Sequence, residues 1–258
     1  MTDHIPHNGA EPRHLGRADG HSIAYHVLAG KSPGVVFLGG LMSDMTGTKA
    51  IALEDHCRAA GRAYLRFDYL GHGASSGVFT DGTIGRWTED ALAVLDGITQ
   101  GPQVLVGSSL GGWLMLRVAL ARPERVAGLV GIAAAPDFTE TMAADLDDDE
   151  REALTRDGMI ERPSEYSEQP YRIARALIED GRDHLVMNGP IDIGCPVRLL
   201  HGMRDDAVPW QTAPTLAEHL SSADVVVTLV KDGDHRLSRP ADLARLMRTV
   251  DVVCALAG

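Results

Sequence analysis

Hydrophobic positions along the 258-residue chain fall into two alternating rhythms. Short apolar runs closed by glycine or a polar turn read as buried strands at 34–40, 63–68, 104–106, 126–132, 196–201 and 225–230. Ile23, Tyr25 and Val27 alternate as in a half-buried strand. Longer stretches rich in helix formers separate these runs, at 48–60, 84–98, 110–121, about 210–220 and about 241–256. Strand, helix, strand, helix predicts an α/β fold: a mostly parallel central sheet with helices on both faces. The rhythm breaks between 137 and 192. Acidic residues crowd 145–152, prolines stand at 163, 170 and 190, and two helices are expected near 148–157 and 170–180. That stretch predicts a helical lid inserted over one edge of the sheet. The acidic run reads as a helix start, since aspartate there caps free N–H groups and favours the dipole. Residues 1–19 are polar and read as a loosely attached lead-in, leaving 20–258 as a single domain.

One junction carries chemistry. Val104–Val106 runs into Gly107-Ser108-Ser109-Leu110-Gly111, and a helical stretch follows at once. This G-x-S-x-G turn fits a nucleophile elbow, where the central serine sits on a strained strand-to-helix turn and the glycines two positions away leave room for backbone. Ser109 is the candidate nucleophile; Ser108 lacks the flanking glycines. A second copy, Gly73 to Gly77, follows a loop and leads into no helix, so Ser75 reads as a loop residue. A serine hydroxyl needs an imidazole to take its proton and a carboxylate to orient that imidazole. After the 196–201 strand come Asp205 and Asp206, and after the 225–230 strand comes His235 beside Gly233. The order Ser, acid, His fits the elbow. Both aspartates remain candidates on physical grounds, with Asp206 also able to cap the next helix. The oxyanion donors expected are the backbone N–H of Leu110, after the nucleophile, and of Leu41, in the loop after the 34–40 strand. Met42, Met45 and Trp113 are candidates to line an apolar acyl pocket. His72 reads as structural, and His201 stands at a strand end before the acid loop.

Composition narrows the partners. Lys and Arg number 24 against 36 Asp and Glu, a net charge of −12 with no basic block. That argues against nucleic acid and anionic membrane surfaces. The apolar run 103–121 has about the ~20-residue length of a membrane span, but Gly107, Gly111, Gly112, two serines and Arg117 interrupt it, so no stable membrane insertion is expected. No export signal opens the chain, and Cys57, Cys195 and Cys254 form no C-x-x-C pair, which reads as reduced thiols in a cytoplasmic protein. His4 and His7 read as parts of a solvated tail; no metal and no organic cofactor is expected.

Taken together, these motifs resemble the α/β-hydrolase superfamily. Within it, Val106-Gly-Ser-Ser-Leu-Gly-Gly-Trp-Leu-Met-Leu116, Arg66-Phe-Asp-Tyr69, Ala121-Arg-Pro-Glu124 and Leu199-Leu-His-Gly-Met203 with Asp205-Asp206 are similar to the branch described as protein S-depalmitoylases and acyl-glucuronide esterases. Pro163, Tyr166 and Glu168 in the insertion belong to the same likeness. The resemblance implies Ser109 as nucleophile, Asp205 rather than Asp206 as acid, and His235 as base. It implies a serine hydrolase acting on esters or thioesters of small molecules or acylated proteins. C–C bond hydrolases and aminopeptidases are built on the same triad. A non-catalytic ligand-binding member is expected to have lost a triad residue or an elbow glycine, and none is missing here. No mitochondrial presequence is visible, so the expected location stays cytoplasmic.

Overall fold

The computed structural model describes residues 11–162 and 170–257. In chain order the elements are β1 (Arg13–Gly16), β2 (Ser22–Leu28), β3 (Lys31–Leu38), α1 (Thr48–Ala59), β4 (Arg62–Phe67), α2 (Ile84–Ile98), β5 (Gln103–Ser108), α3 (Leu110–Ala121) and β6 (Val126–Ile132). There follow α4 (Phe138–Ala144), α5 (Asp148–Asp157), β7 (Met159–Arg162), β8 (Tyr171–Ala174) and α6 (Arg175–Arg182). The chain returns to the sheet with β9 (Val197–Gly202), α7 (Thr212–His219), β10 (Val225–Val230) and α8 (Pro240–Leu256). Eight strands form one sheet in the order β1-β2-β4-β3-β5-β6-β9-β10; only the β1–β2 and β2–β4 pairs are antiparallel.

The pleat divides the core in two. In β5, Leu105 joins the layer beneath α2, α3 and α7, while Val104 and Val106 join the layer beneath α1 and α8; β3 does the same with Val36 and Leu38 against Val35 and Phe37. Both central strands are buried on both faces. Their continuous apolar runs are the sequence signature of that position.

The fold departs from the sequence reading in two places. Arg13–Gly16, within the stretch expected to be a loose lead-in, is an edge strand paired with β2, and Leu15 packs against the core. Four residues, mostly exposed, leave too short a pattern to read. His4 and His7 lie outside the described residues. In the 137–192 stretch, the helix expected near 170–180 is β8 followed by α6, and β8 pairs with β7. Each of these strands offers one isoleucine, Ile160 opposite Ile173, to a small separate cluster with Leu146, Leu154 and Ile178. α5 starts in the acidic run, where Asp147 caps Glu150 N–H and Glu150 reaches back to Asp147 N–H. Pro163, Tyr166 and Glu168 lie outside the described residues.

Three hydrogen bonds are among the contacts that hold this insertion to the sheet domain. Asp180 accepts from Gly85 N–H at 2.8 Å, and the His184 carbonyl accepts from Trp113 Nε1 and Arg117 Nη1. Among the described residues no helix is long and apolar enough to cross a membrane.

Candidate active site

The site is built where β5 hands over to α3. Ser109 holds φ 54° and ψ −117°, a conformation side chains rarely adopt. Its backbone is tied down on every side: its N–H donates to Ile132 O at 2.9 Å, and its carbonyl accepts from Gly112 N–H at 2.8 Å and Ala135 N–H at 3.1 Å. The glycines that frame it are required by crowding. A Cβ on Gly107 would land on the Gly111 carbonyl, and one on Gly111 would land on the carbonyls of Leu38 and Gly39.

The ends of β9 and β10 bring the two partners. Ser109 Oγ lies 3.2 Å from His235 Nε2, and His235 Nδ1 lies 2.8 Å from Asp205 Oδ2. A carboxylate beside Nδ1 fixes the tautomer: Nδ1–H donates to Asp205, leaving Nε2 to accept the serine proton. Asp205 is deeply placed, and its Oδ1 accepts from Ala207 N–H at 2.9 Å and Val208 N–H at 2.8 Å. Burial raises its proton affinity, but donors from His201, His235 and Val208 outweigh that and hold the carboxyl well below the usual range. Of the two aspartates, Asp205 is the one in contact with His235. Asp206 is exposed, and α7 begins without any side-chain cap.

The loop after β3 closes over the elbow. A Cβ on Gly40 would sit 3.5 Å from that of Ser109, and Ser43 N–H donates back to Gly40 O across Leu41 and Met42. Leu41 therefore sits in a tight turn next to Ser109. Leu110 opens α3, where an N–H has no acceptor within its own helix. Among the described residues no group of three or more His, Cys, Asp or Glu could hold a metal ion.

Comparison with known proteins agrees with this architecture. The model of the alpha/beta hydrolase family matches residues 35–246. The chain belongs to the α/β-hydrolase family. It is 46% identical over 238 residues to a bovine protein named palmitoyl-protein thioesterase ABHD10, mitochondrial, covering 92% of this chain and 78% of the relative. The human protein of that name is 44% identical over the same shares. Among solved structures, a putative hydrolase from Agrobacterium vitis S4 is 48% identical with a TM-score of 0.90, covering 94% of this chain and 97% of that one. Alpha/beta hydrolase domain-containing protein 10 from mouse is 44% identical with a TM-score of 0.88, covering 95% and 98%.

These relatives correct one expectation about this α/β hydrolase. A cytoplasmic location does not stand against relatives named mitochondrial. Unpaired cysteines separate reducing from oxidising surroundings, and they say nothing about which reducing compartment holds the protein.

The pocket candidates also change. Trp113 has no exposed surface; its ring meets Phe138 edge-on at 5.6 Å and its N–H is bound to His184 O. Met45 is buried, with its N–H on Asp68 at 2.6 Å and its carbonyl on Arg66. Both are core residues of the hydrolase, because the apolar character that suggested a pocket serves packing equally well. Only Met42 is exposed, at 37%, on the turn beside Ser109.

Two residues support the site from behind: Lys49, which the sequence reading passed over, and His72, which it read as structural. Lys49, at the start of α1, donates from Nζ to Arg236 O at 2.6 Å and so pins the loop carrying His235; burial pushes its pKa down to about 8. His72 holds the loop after β3. Its Nδ1–H donates to Leu70 O at 3.1 Å, which leaves Nε2 to accept from Met42 N–H at 3.2 Å, where Met42 holds φ 53°. Tyr69, Phe79 and Trp87 surround the ring, and burial pushes its pKa down to about 4. The unfolded chain takes up this proton near pH 6.5 and the native state only near 4, so stability is lost as pH falls through that window, by roughly 3 kcal/mol in all. In His72→Gln, which keeps an acceptor for Met42, urea midpoints from pH 7 to 4 are expected to fall less steeply than in the wild type. Parallel curves would remove His72 from the account.

Proposed function

We propose that this hydrolase cleaves thioesters and oxyesters of acyl groups through an acyl-enzyme on Ser109, with acylated proteins or small acyl conjugates as substrates. The observation that carries the reading is the unbroken relay Ser109 Oγ, His235 Nε2, His235 Nδ1, Asp205 Oδ2, with spacings of 3.2 and 2.8 Å, mounted on a strained elbow. The name palmitoyl-protein thioesterase on relatives 44–46% identical supports the substrate class.

In this reading Ser109 Oγ attacks the acyl carbonyl while His235 Nε2 takes its proton and Asp205 stabilises the imidazolium. The carbonyl oxygen, now an anion, receives the N–H groups of Leu110 and Leu41, and the positive end of α3 favours it. His235 passes the proton to the departing thiolate or alkoxide. Water then enters and gives one proton to His235 as its oxygen adds to the acyl carbonyl; the bond to Ser109 Oγ breaks, His235 returns that proton to Oγ, and the free acid leaves. No step calls on a metal or an organic cofactor.

The test is kcat/KM on matched thioesters and oxyesters of rising chain length, with Ser109→Ala as the blank. The expected maximum is a long-chain thioester. A maximum on short or bulky oxyesters assigns a general esterase instead, and turnover no greater than the blank on both series rejects ester chemistry.

A further inference from the structure

Asp205 serves two imidazoles. His201, the fifth residue of β9, is completely buried, and its Nε2 stands 3.1 Å from Asp205 Oδ2, the same oxygen that receives His235 Nδ1–H at 2.8 Å. The His201 Nε2 is also 3.0 Å from Val208 O, and Val208 N–H donates to Asp205 Oδ1. His201, Asp205 and Val208 thus close a ring of polar contacts behind the relay. Both neighbours of Nε2 are acceptors, so Nε2 carries the hydrogen and shares it between them. His201 Nδ1 is buried without a hydrogen-bond partner among the described residues, so a second proton there would be left unsatisfied. The ring is held as a donor through Nε2.

We propose that His201 is a positioning residue of the relay, fixing the plane of the Asp205 carboxylate for His235 and drawing off part of the negative charge that Oδ2 presents to it. The inference rests on the triad reading above and adds a fourth side chain to it. A buried carboxylate with one donor on Oδ2 would face His235 with more charge and less orientation. The first effect strengthens the imidazolium, so the base loses its proton at higher pH. The second lowers the rate of the chemical step. His201 therefore trades basicity at His235 for geometry.

Glutamine and methionine separate this role from packing. Gln places an amide nitrogen the same number of bonds from the backbone as His Nε2, and Met has similar volume with no donor. His201→Gln is expected within about threefold of wild-type kcat/KM. His201→Met is expected to lose roughly 10- to 100-fold in kcat, the effect of one hydrogen bond to a charged acceptor, with KM little changed. Its acid limb of kcat/KM against pH should move upward by roughly half a unit or more. The other charged side chains near the His235 loop, Lys49 on Arg236 O, Asp234 on Leu237 N–H and Arg236 itself, are the same in both variants, so their field cancels in the comparison.

Equal rates and equal limbs for Gln and Met would reduce His201 to a packing residue and overturn the proposal. Should the Met variant fail to fold, nitrogen NMR on the histidine-labelled wild type decides: one protonated, hydrogen-bonded Nε2 and one bare Nδ1 are expected at neutral pH, and a doubly protonated ring overturns the proposal. A wild type no faster than Ser109→Ala would instead sink the triad reading, while the NMR result still reports on the contact between His201 and Asp205.

Discussion

Ser109→Ala is expected to lower kcat/KM on any acyl substrate by roughly 10⁴-fold or more, since residues of such a relay act as a unit and the others gain nothing from acting without a nucleophile. The substitution removes only Oγ, the atom 3.2 Å from His235 Nε2. Alanine keeps the Cβ, so the positive φ of 54° and its backbone ties to Ile132, Gly112 and Ala135 remain. The melting temperature is therefore expected to stay within about 2 °C of wild type, because surface-scale changes outside a packed network are small. The paired readout separates chemistry from folding. Labelling by a fluorophosphonate should vanish together with turnover. A variant that keeps more than about one hundredth of the wild-type kcat/KM would show that another group attacks the carbonyl.

Gly111→Ala is expected to be as damaging by an unrelated route. A methyl group there meets two backbone carbonyls, those of Leu38 and Gly39, and neither can rotate away as a side chain could. Relief requires α3 to back off from the end of β3, which breaks the Leu38–Gly107 register and opens the oxyanion loop. A loss of roughly 3 kcal/mol or more follows from such overpacking, with activity lost even where the chain still folds. Gly39→Ala is the control, since a Cβ at Gly39 has nothing within 4 Å. Urea midpoints of the two variants settle it: a wild-type midpoint for Gly111→Ala would mean that the elbow yields more readily than its contacts imply.

How much of this was legible in the sequence follows from where each signal is written. α2, β6 and β10 begin and end where the sequence pattern does, because each carries its own apolar residues into the core. The elbow was readable because glycines at two fixed offsets are a steric demand that composition records. Ser109 and His235 followed from strand ends and chain order, which left Asp205 and Asp206 open; the family resemblance favoured Asp205, and the fold brings Ser109, His235 and Asp205 into contact. Missed features share a different trait. β1, β7 and β8 have four residues each, too few for any period to emerge. Trp113 and Met45 were misplaced because an apolar side chain looks the same in sequence whether it faces a ligand or a neighbour. His72, His201 and Lys49 act through backbone partners or through one oxygen of another residue, and nothing in spacing records such a contact.

The three side chains of the relay are far apart in the chain: 126 residues separate Ser109 from His235, and 30 separate His235 from Asp205. Their carriers β5, β9 and β10 meet only when β6 has been laid between β5 and β9. Contacts of that sequence separation close late and slowly, because the loop entropy is spent before the pairing rewards it. In the reading proposed above, activity is thus a property of the fully assembled sheet: a nascent polypeptide that has already formed the elbow, its helix and the loop after β3 carries Ser109 without His235, and it stays chemically silent until its last strand docks.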